Sequence, residues 1–388
     1  MARAARHLVD DDALFALDPN LHPHCIPLPS PGDDPSLLHA RGIGGGPVRA
    51  RPISAHAPVS GIEPMPLDAI RTLSRESLST WIVHLRSAGV QGHRVTSPDL
   101  QRQLETAARR PIDTAICNLL DPDPTTDLQA RWARRHPDAL LAGVLLLGRI
   151  VGATKLMIVA DRAGPAGAIA RDLPPRRGAI EPQITWLDHV YPLSHPSILL
   201  NELLKRRLRP GMLPPMAGAI VFDAVIAVAV GRLVLAGEPM TRVPVWCVDD
   251  QRVRGRIAPI GTRLADLLVS LGHAQRLTGA LRCGPLLRAE PADPVELIGP
   301  GELIVRMQPG IDTPAPEACI RCGWCRDVCP VRALPAGILE SAQRSTAPPE
   351  DWGLDACIEC GLCDYVCPSR LPLLATIRSL RRSTGVSA

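Results

Sequence analysis

The period of the hydrophobic positions changes along this chain, and each change marks an element. Leu67, Ile70, Leu73 and Leu78, then Trp81, Ile82 and Leu85, recur at three and four, the spacing of one helical face. Residues 112–119 form a short apolar run that reads as a strand, and residues 128–151 carry the pattern of one long amphipathic helix. A second apolar strand is expected at 155–160, a helix at 163–173, a third strand at 184–189 and a further helix at 195–208. Strands alternating with helices predict a parallel sheet covered by helices. The run 216–237 is long enough to span a membrane, but Asp223 and Arg232 would lie inside it. A buried strand followed by a buried helix accounts for it, so no direct membrane span is expected.

Further on, 243–248 and 255–259 read as short strands, Gly261 and Thr262 open a helix to Leu271, and 302–307 gives one more strand. That order resembles a small β-grasp-like module. Before Leu67 the chain is rich in Pro, Gly and His and offers only short extended pieces such as 48–53. A proline-rich linker, 309–316, leads to the last region, where 344–352 reads as a polar loop. Leu374, Ile377 and Leu380 there have helical spacing and should pack over whatever the region holds, with Arg378, Arg381 and Arg382 on a solvated face. The expected fold class is α/β within an α+β multidomain chain: an N-terminal Pro/Gly-rich, β-containing segment (1–66), an α/β domain (67–210), a β-grasp-like region (211–308) and a C-terminal domain (309–388).

Composition narrows the function classes. The formal net charge of the 388 residues is +4, carried almost wholly by arginine, with no basic run interleaved with aromatics to track a nucleic-acid backbone. Nucleic acid is therefore not an expected partner. Two Phe and two Tyr leave few platforms for stacking bases or an isoalloxazine ring. Residues 1–12 are charged and lack an apolar export core, so a cytoplasmic location is expected.

The chemistry concentrates in cysteine. Cys-x-x-Cys-x-x-Cys-x-x-x-Cys-Pro occurs twice, as Cys319, Cys322, Cys325, Cys329 and Pro330, then as Cys357, Cys360, Cys363, Cys367 and Pro368. Three closely spaced thiolates wrap one [4Fe–4S] cube, while the fourth, ahead of a proline turn, reaches to the other cube. The doubled motif thus predicts two [4Fe–4S] clusters with crossed ligation: Cys319, Cys322, Cys325 and Cys367 for the first, Cys357, Cys360, Cys363 and Cys329 for the second. Structural zinc is the alternative, but two Cys-x-x-Cys pairs would satisfy one tetrahedral zinc and leave cysteines over. A disulfide framework fits a long chain with ligand triplets less well. Cys25, Cys117, Cys247 and Cys283 stand singly and read as buried inert thiols. His22, His24 and His56 with Cys25 make a weak metal set, and the glycines at 42–46 lack the strand–turn–helix frame of a phosphate loop.

The chain resembles the RnfC family, the C-type subunits of the Rnf electron-transport complex, themselves similar to the flavin-bearing, NADH-oxidising subunit of respiratory complex I. The likeness runs from about His56 to Ile377. It is strongest in Cys-Ile-Arg-Cys at 319–322, Cys-Ile-Glu-Cys-Gly at 357–361, Cys-Pro-Ser at 367–369 and Leu-Pro-Leu at 371–373. His-Ala-Pro-Val-Ser-Gly at 56–61 matches that family's small β-rich domain, and Gly-Glu-Pro-Met-Thr-Arg at 237–242 with Ile-Gly-Thr at 260–262 its soluble-ligand-binding β-grasp region. The resemblance implies a flavoprotein-like α/β domain, a β-grasp-like module and a dicluster ferredoxin-like α-helical domain.

Four elements depart from the family. A glycine-rich phosphate loop is replaced by Val-Gln-Gly-His-Arg-Val-Thr at 90–96, and an acidic turn beside the flavin by Leu-Leu-Asp-Pro-Asp-Pro after Asn118. A Tyr-Pro-x-Gly-Gly loop has become Tyr-Pro-Leu-Ser-His at 191–195, and an Asn-Val-Gly-Thr turn Phe-Asp-Ala-Val at 222–225. A phosphate cradle needs glycine's positive φ and missing Cβ, so the fold is expected to be kept without the flavin; Gly89 and Gly92 read as turn glycines. The expected function is one-electron relay inside a membrane-associated redox complex, with other subunits and a ferredoxin- or flavoprotein-type carrier as partners, peripheral to the inner membrane. The alternatives are an active FMN-containing NADH dehydrogenase subunit and an assembly scaffold with structural clusters.

Overall fold

The structure, a computed structural model, describes residues 62–90, 92, 97–123, 125–163, 173, 180–249, 253–273, 280–301, 304–308, 314–344 and 349–384, together with the backbone of four short strands near the N-terminus. Those strands are β1 (Ala16–Leu17), β2 (Cys25–Pro27), β3 (Leu38–Arg41) and β4 (Pro47–Pro52). The side chains of His22, His24, Cys25 and His56, the glycine run 42–46 and the expected helix at 163–173, save its ends, lie outside the described residues.

A parallel sheet carries the first large unit. Helices α1 (Leu67–Thr72), α2 (Leu78–Ser87) and α3 (Leu100–Ala108) precede β5 (Thr114–Asn118); α4 (Leu128–Arg135) and α5 (Pro137–Val151) lead to β6 (Lys155–Asp161) and β7 (Gln183–Leu187); α6 (Pro196–Leu204) leads to β8 (Ala219–Asp223) and α7 (Ala224–Ala236). The order is β7-β6-β5-β8, all parallel. β5 and β8 are buried at every residue, as a sheet covered on both faces requires. Ile116, Met157, Val159 and Val221 pack against Leu199 and Leu200 of α6, whereas the alternate positions Cys117, Ile158, Ile220 and Phe222 join the main core with α5 and α7.

The helix expected over 128–151 is two helices. Pro137 lacks an N–H and disfavours helical backbone at His136, which sits at φ −134° and ψ 58° between α4 and α5. α5 is also buried almost all round rather than amphipathic, because α7 crosses it closely: a Cβ at Gly143 would lie 1.8 Å from the Ala227 carbonyl oxygen, and one at Gly231 1.8 Å from that of Ala139. That crossing explains the apolar run 216–237, which is the expected strand and helix. Among the described residues no helix is long and apolar enough to cross a membrane. α6 ends at Lys205, in the left-handed region at φ 54°, short of Leu208. Because β8 and α7 complete this sheet and its cover, the α/β unit runs past the expected boundary at 210.

The second sheet has the order β1-β10-β9-β13-β11-β12, built from β9 (Arg242–Val248), β10 (Val253–Pro259), β11 (Ala280–Cys283), β12 (Glu290–Pro291) and β13 (Ile304–Gln308), with α8 (Leu264–Ser270) between the first and second hairpins. β13 runs parallel to β9 at the centre and antiparallel hairpins flank it, which is β-grasp topology. The edge strand β1 comes from the N-terminal segment. Last come four helices, α9 (Trp324–Asp327), α10 (Pro335–Arg344), α11 (Leu362–Tyr365) and α12 (Leu373–Thr384). In α12, Leu373 packs with Cys363, and Ile377 with Cys357, Ile338 and Leu354.

Candidate metal centre

The two cysteine motifs repeat in backbone as well as in sequence. Arg321 and Glu359, each between the first two cysteines of its motif, take φ 56° and 53°; Gly323 and Gly361 take 84° and 79°; Arg332 and Arg370, three residues past the fourth cysteine, take 57° and 54°. Left-handed conformations at non-glycine residues carry a steric cost and recur only where surroundings fix them. Each motif then turns into a one-turn helix, α9 or α11, and a longer helix, α10 or α12, follows.

The halves are interlocked. The Glu317 N–H donates to the Ser369 carbonyl at 2.9 Å, Ser369 Oγ donates to the Ala318 carbonyl at 2.9 Å, and Arg370 pairs with Glu317, so the chain leading into Cys319 is bound to the chain leaving Cys367. In the same way the Leu334 N–H, just past Cys329, donates to the Trp352 carbonyl at 2.9 Å, just ahead of Cys357. Burial raises the Cys357 thiol to about 11, with the nearby Cys360 and Cys329 sulfurs adding to the rise. Burial also raises Cys360, again with Cys329 beside it, and Cys363 beside Cys357 and Cys360. Burial raises Cys325 too, next to Cys319 and Cys322, and Cys325 shares an apolar cluster with Cys367. The thiolate is the ligating form, so a positively charged iron centre must displace these protons on binding. Among the described residues no three His, Cys, Asp or Glu side chains converge as a single-ion donor set would; a cube takes its sulfurs at more widely spaced corners.

The two motifs differ in cover. Cys360 and Cys363 are buried, and the second motif leans on the rest of the chain: the Tyr191 hydroxyl donates to the Cys360 carbonyl, Arg288 Nη1 donates to the Ile358 carbonyl at 3.4 Å, and the Leu287 backbone lies against Gly361. Arg378 pairs with Glu359 and Glu290, each at 3.0 Å, and donates to the Arg288 carbonyl at 3.0 Å; Arg381 donates to the Cys357 carbonyl and pairs with Glu359 at 3.5 Å. The expectation of a solvated arginine face is therefore corrected: Arg381 is buried, Arg378 is half-buried, both are paired, and only Arg382 is exposed. Cys319 and Cys322, in contrast, are exposed, so apolar residues keep water from the second motif but not from the first.

Doubly wound sheets bind ligands beyond the carboxyl ends of their strands, where the strand order reverses. Here that place is between β5 and β8, and the chain's own side chains fill it. Gln129 donates its backbone N–H to Asp121 at 3.2 Å and its amide to Asp223 at 3.4 Å, and accepts from the Val225 N–H at 3.3 Å. Asn118 donates to the Ser194 carbonyl at 2.9 Å. Asp123, fully buried, pairs with Arg306 of β13 and accepts from the Leu286 N–H at 2.7 Å, which fastens the parallel sheet to the β-grasp unit. Burial pushes Asp121 well above the usual carboxylate range. Beside the second motif a gap of about 10 Å³ remains, lined by Pro122, Tyr191, Pro192, Ser194, His195, Arg288, Ile358 and Cys360; that is room for one water. Burial, then the Arg288 and Arg381 charges, lower His195 to about 3, so its neutral Nδ1 accepts from the Ser197 N–H at 3.2 Å and caps α6. A larger cavity, about 330 Å³ around Arg110, Asp113 and Arg206, lies at the opposite end of the strands.

Asp121, Asp123 and Asp223 are buried past the carboxyl ends of β5 and β8, and Gly92 serves close packing, since a Cβ there would lie 2.7 Å from Ser97 Oγ. Gln91 and residues 93–96 of the altered loop at 90–96 are outside the described residues. Sequence reasoning names all eight cysteines. It misses Tyr191, Arg288, Glu359, Arg378 and Arg381 as their supports, because no local pattern announces a pair formed between distant segments.

The 4Fe-4S dicluster domain family matches residues 318–371. The C-type subunit of the ion-translocating oxidoreductase complex of Edwardsiella ictaluri is 28% identical over 301 residues, 72% of this chain and 35% of that protein, and its namesake in Pasteurella multocida is 29% identical over 70% of this chain and 33% of that protein. The corresponding C-type subunit of the proton-translocating ferredoxin:NAD(+) oxidoreductase complex of Clostridium ljungdahlii is 22% identical over 67% of this chain and 58% of that protein. The chain thus spans only about a third of the length of the first two. A chain of an NAD+-reducing [NiFe]-hydrogenase superposes with a TM-score of 0.51 at 17% identity, covering 86% of this chain and 71% of that one. The chain is accordingly similar, over about 70% of its length, to the C-type subunits of ion-translocating oxidoreductase complexes, and it carries a 4Fe-4S dicluster domain.

Proposed function

We propose that the protein is an iron–sulfur electron-transfer subunit of a membrane-associated oxidoreductase complex, relaying single electrons through two [4Fe–4S] clusters and holding no flavin of its own. A [4Fe–4S] cube supplies one-electron storage with little reorganisation. Cys319, Cys322, Cys325 and Cys367 would hold one cluster and Cys357, Cys360, Cys363 and Cys329 the other. The observation that carries this is the reciprocal interlock of the motifs, which ties the lead into Cys319 to the exit from Cys367 and sets Cys329 beside Cys357 and Cys360. The filled crevice between β5 and β8 supports the flavin-free reading. Tyr191, Arg288 and Arg378 clamp the second motif to the other two units, Arg381 braces it from within its own domain, and together they keep water from its sulfurs, which tunes a cluster's potential. The degenerate α/β domain then serves as scaffold and docking body, and the other subunits hold the chain at the inner membrane from the cytoplasmic side.

Anaerobic purification tests this. Roughly eight irons per chain with the brown absorbance of cubanes are expected, no flavin on denaturation, no NADH-dependent ferricyanide reduction by the isolated protein, and reduction by dithionite. Stoichiometric zinc with little iron ends the cluster reading. One flavin per chain favours an active NADH dehydrogenase subunit instead, and clusters that refuse reduction favour a scaffold.

A further inference from the structure

The two halves of the dicluster domain share a backbone but not an environment. Ile358, Glu359 and Gly361 of the second motif correspond to Ile320, Arg321 and Gly323 of the first, with matching φ at the last two. On the second motif every one of these positions is covered by the same chain. Ile358 is 8% exposed under Arg288, Glu359 meets Arg378 and Arg381, and a Cβ at Gly361 would lie 2.0 Å from the Leu287 carbonyl oxygen, so that loop's backbone rests on the glycine. On the first motif nothing among the described residues takes their place. Ile320 is 68% exposed and Trp324 54%; no described atom stands within 4 Å of a Cβ at Gly323. Tyr365, on the neighbouring helix α11, is 73% exposed.

The charge is inverted as well. Where Glu359 meets two arginines of its own chain, the equivalent residue is Arg321, exposed and without an ion pair among the described residues, as are Arg326 and Arg332; Asp327 is an exposed acid beside Arg326, Glu350 and Asp351 lie on the turn packed against Ala333, and Glu317 is taken by Arg370. We propose that this bare face of the first motif docks an acidic one-electron carrier protein. A loop of the carrier lies over Gly323 as the Leu287 backbone lies over Gly361, and its carboxylates meet Arg321 and Arg332 as Arg378 meets Glu359. A second copy of this chain would bring the same arginines against each other and is disfavoured by like charge. Docking there would cover Cys319 and Cys322, the exposed cysteines, and shorten the path for an electron.

This inference rests on the two-cluster reading, and its test separates the two. The cluster-loaded protein is mixed with a small acidic 2[4Fe–4S] ferredoxin, reduced with dithionite, and electron transfer is followed by stopped flow. The second-order rate should fall steeply with salt. Arg321→Glu/Arg332→Glu should lower it about tenfold or more at low ionic strength, since steering by complementary charge acts chiefly on association, while iron content and the EPR of both clusters stay unchanged. Trp324→Ala should slow transfer with its salt dependence kept. A redox-free arm, thermophoresis of oxidised ferredoxin with the same variants, decides the surface even if the iron count fails. The proposal is overturned if the double reversal leaves both rate and binding unaltered, if basic cytochrome c reacts as readily as the ferredoxin, if vesicles of anionic phospholipid are bound in its stead, or if the face proves to be a self-association surface abolished by Trp324→Asp.

Discussion

Gly361→Ala and Gly323→Ala are the same chemical change at equivalent backbone positions, and the structure predicts different outcomes. Both add a Cβ to a residue near φ +80°, which costs an L-residue about 1–2 kcal/mol. At Gly323 that is the whole cost, because no described atom lies within 4 Å of the new carbon. At Gly361 the carbon would meet the Leu287 carbonyl oxygen at 2.0 Å and Leu287 Cβ at 3.1 Å, so the loop must move off. Its bonds are the Leu286 N–H to Asp123 at 2.7 Å, Arg288 to the Ile358 carbonyl at 3.4 Å and Arg378 to the Arg288 carbonyl at 3.0 Å. At about 1 kcal/mol each, losing two or three adds about 2–3 kcal/mol. Anaerobic hydrogen exchange of the loaded protein reads this locally: in peptides covering 285–291, Gly361→Ala should speed exchange by roughly thirtyfold or more, and Gly323→Ala should leave it unchanged. Equal exchange in the two variants would refute the claim that the β-grasp loop rests on the second motif.

Crossed ligation predicts that Cys329→Ala removes the EPR signal of the second cluster, that adding Cys360→Ala changes little, and that adding Cys322→Ala removes the remaining cluster; one intact [4Fe–4S] signal in Cys329→Ala/Cys322→Ala would mean each motif holds its own cube. Arg306→Met strands the buried Asp123 carboxylate and should lower unfolding free energy by about 3–5 kcal/mol, with Asp123→Asn/Arg306→Met recovering part of the loss in a denaturant titration. Burial, then Arg232 and Arg135, lower His136 to about 4 from 6.5. The folded ring stays neutral where the unfolded one takes a proton, so its contribution is complete above about pH 6.5 and is lost as pH falls toward 4. His136→Phe, which keeps the edge contact to Trp132, should flatten the pH dependence of the urea midpoint in that window, by less than the full-proton slope of about 1.4 kcal/mol per pH unit because the ring is only half-buried.

What is local in this protein is written in the order of its residues. Spacing picks out the eight cysteines and predicts the kind of group that would take them, and period alone locates β5, β6 and β9 to within a residue or two, since fully buried strands read as unbroken apolar runs. Proline at 137 is equally visible, and it splits the helix whose apolar period looks continuous. Whatever depends on which distant segments meet was settled by packing. β8 joins the first sheet and not the second because its partner is β5, more than a hundred residues upstream. Arg378 and Arg381 are covered partners of Glu359 because α12 folds back across the second motif, while Arg321, the residue equivalent to Glu359, stays bare. The four loops that depart from the resembling family's pattern are legible in the sequence, but only packing shows what stands at the strand ends: Gln129, Asp121 and Asp223 bonded across them and Asp123 locked to Arg306. Periodicity reports how a residue faces its own element, and a pair between elements leaves no period to read.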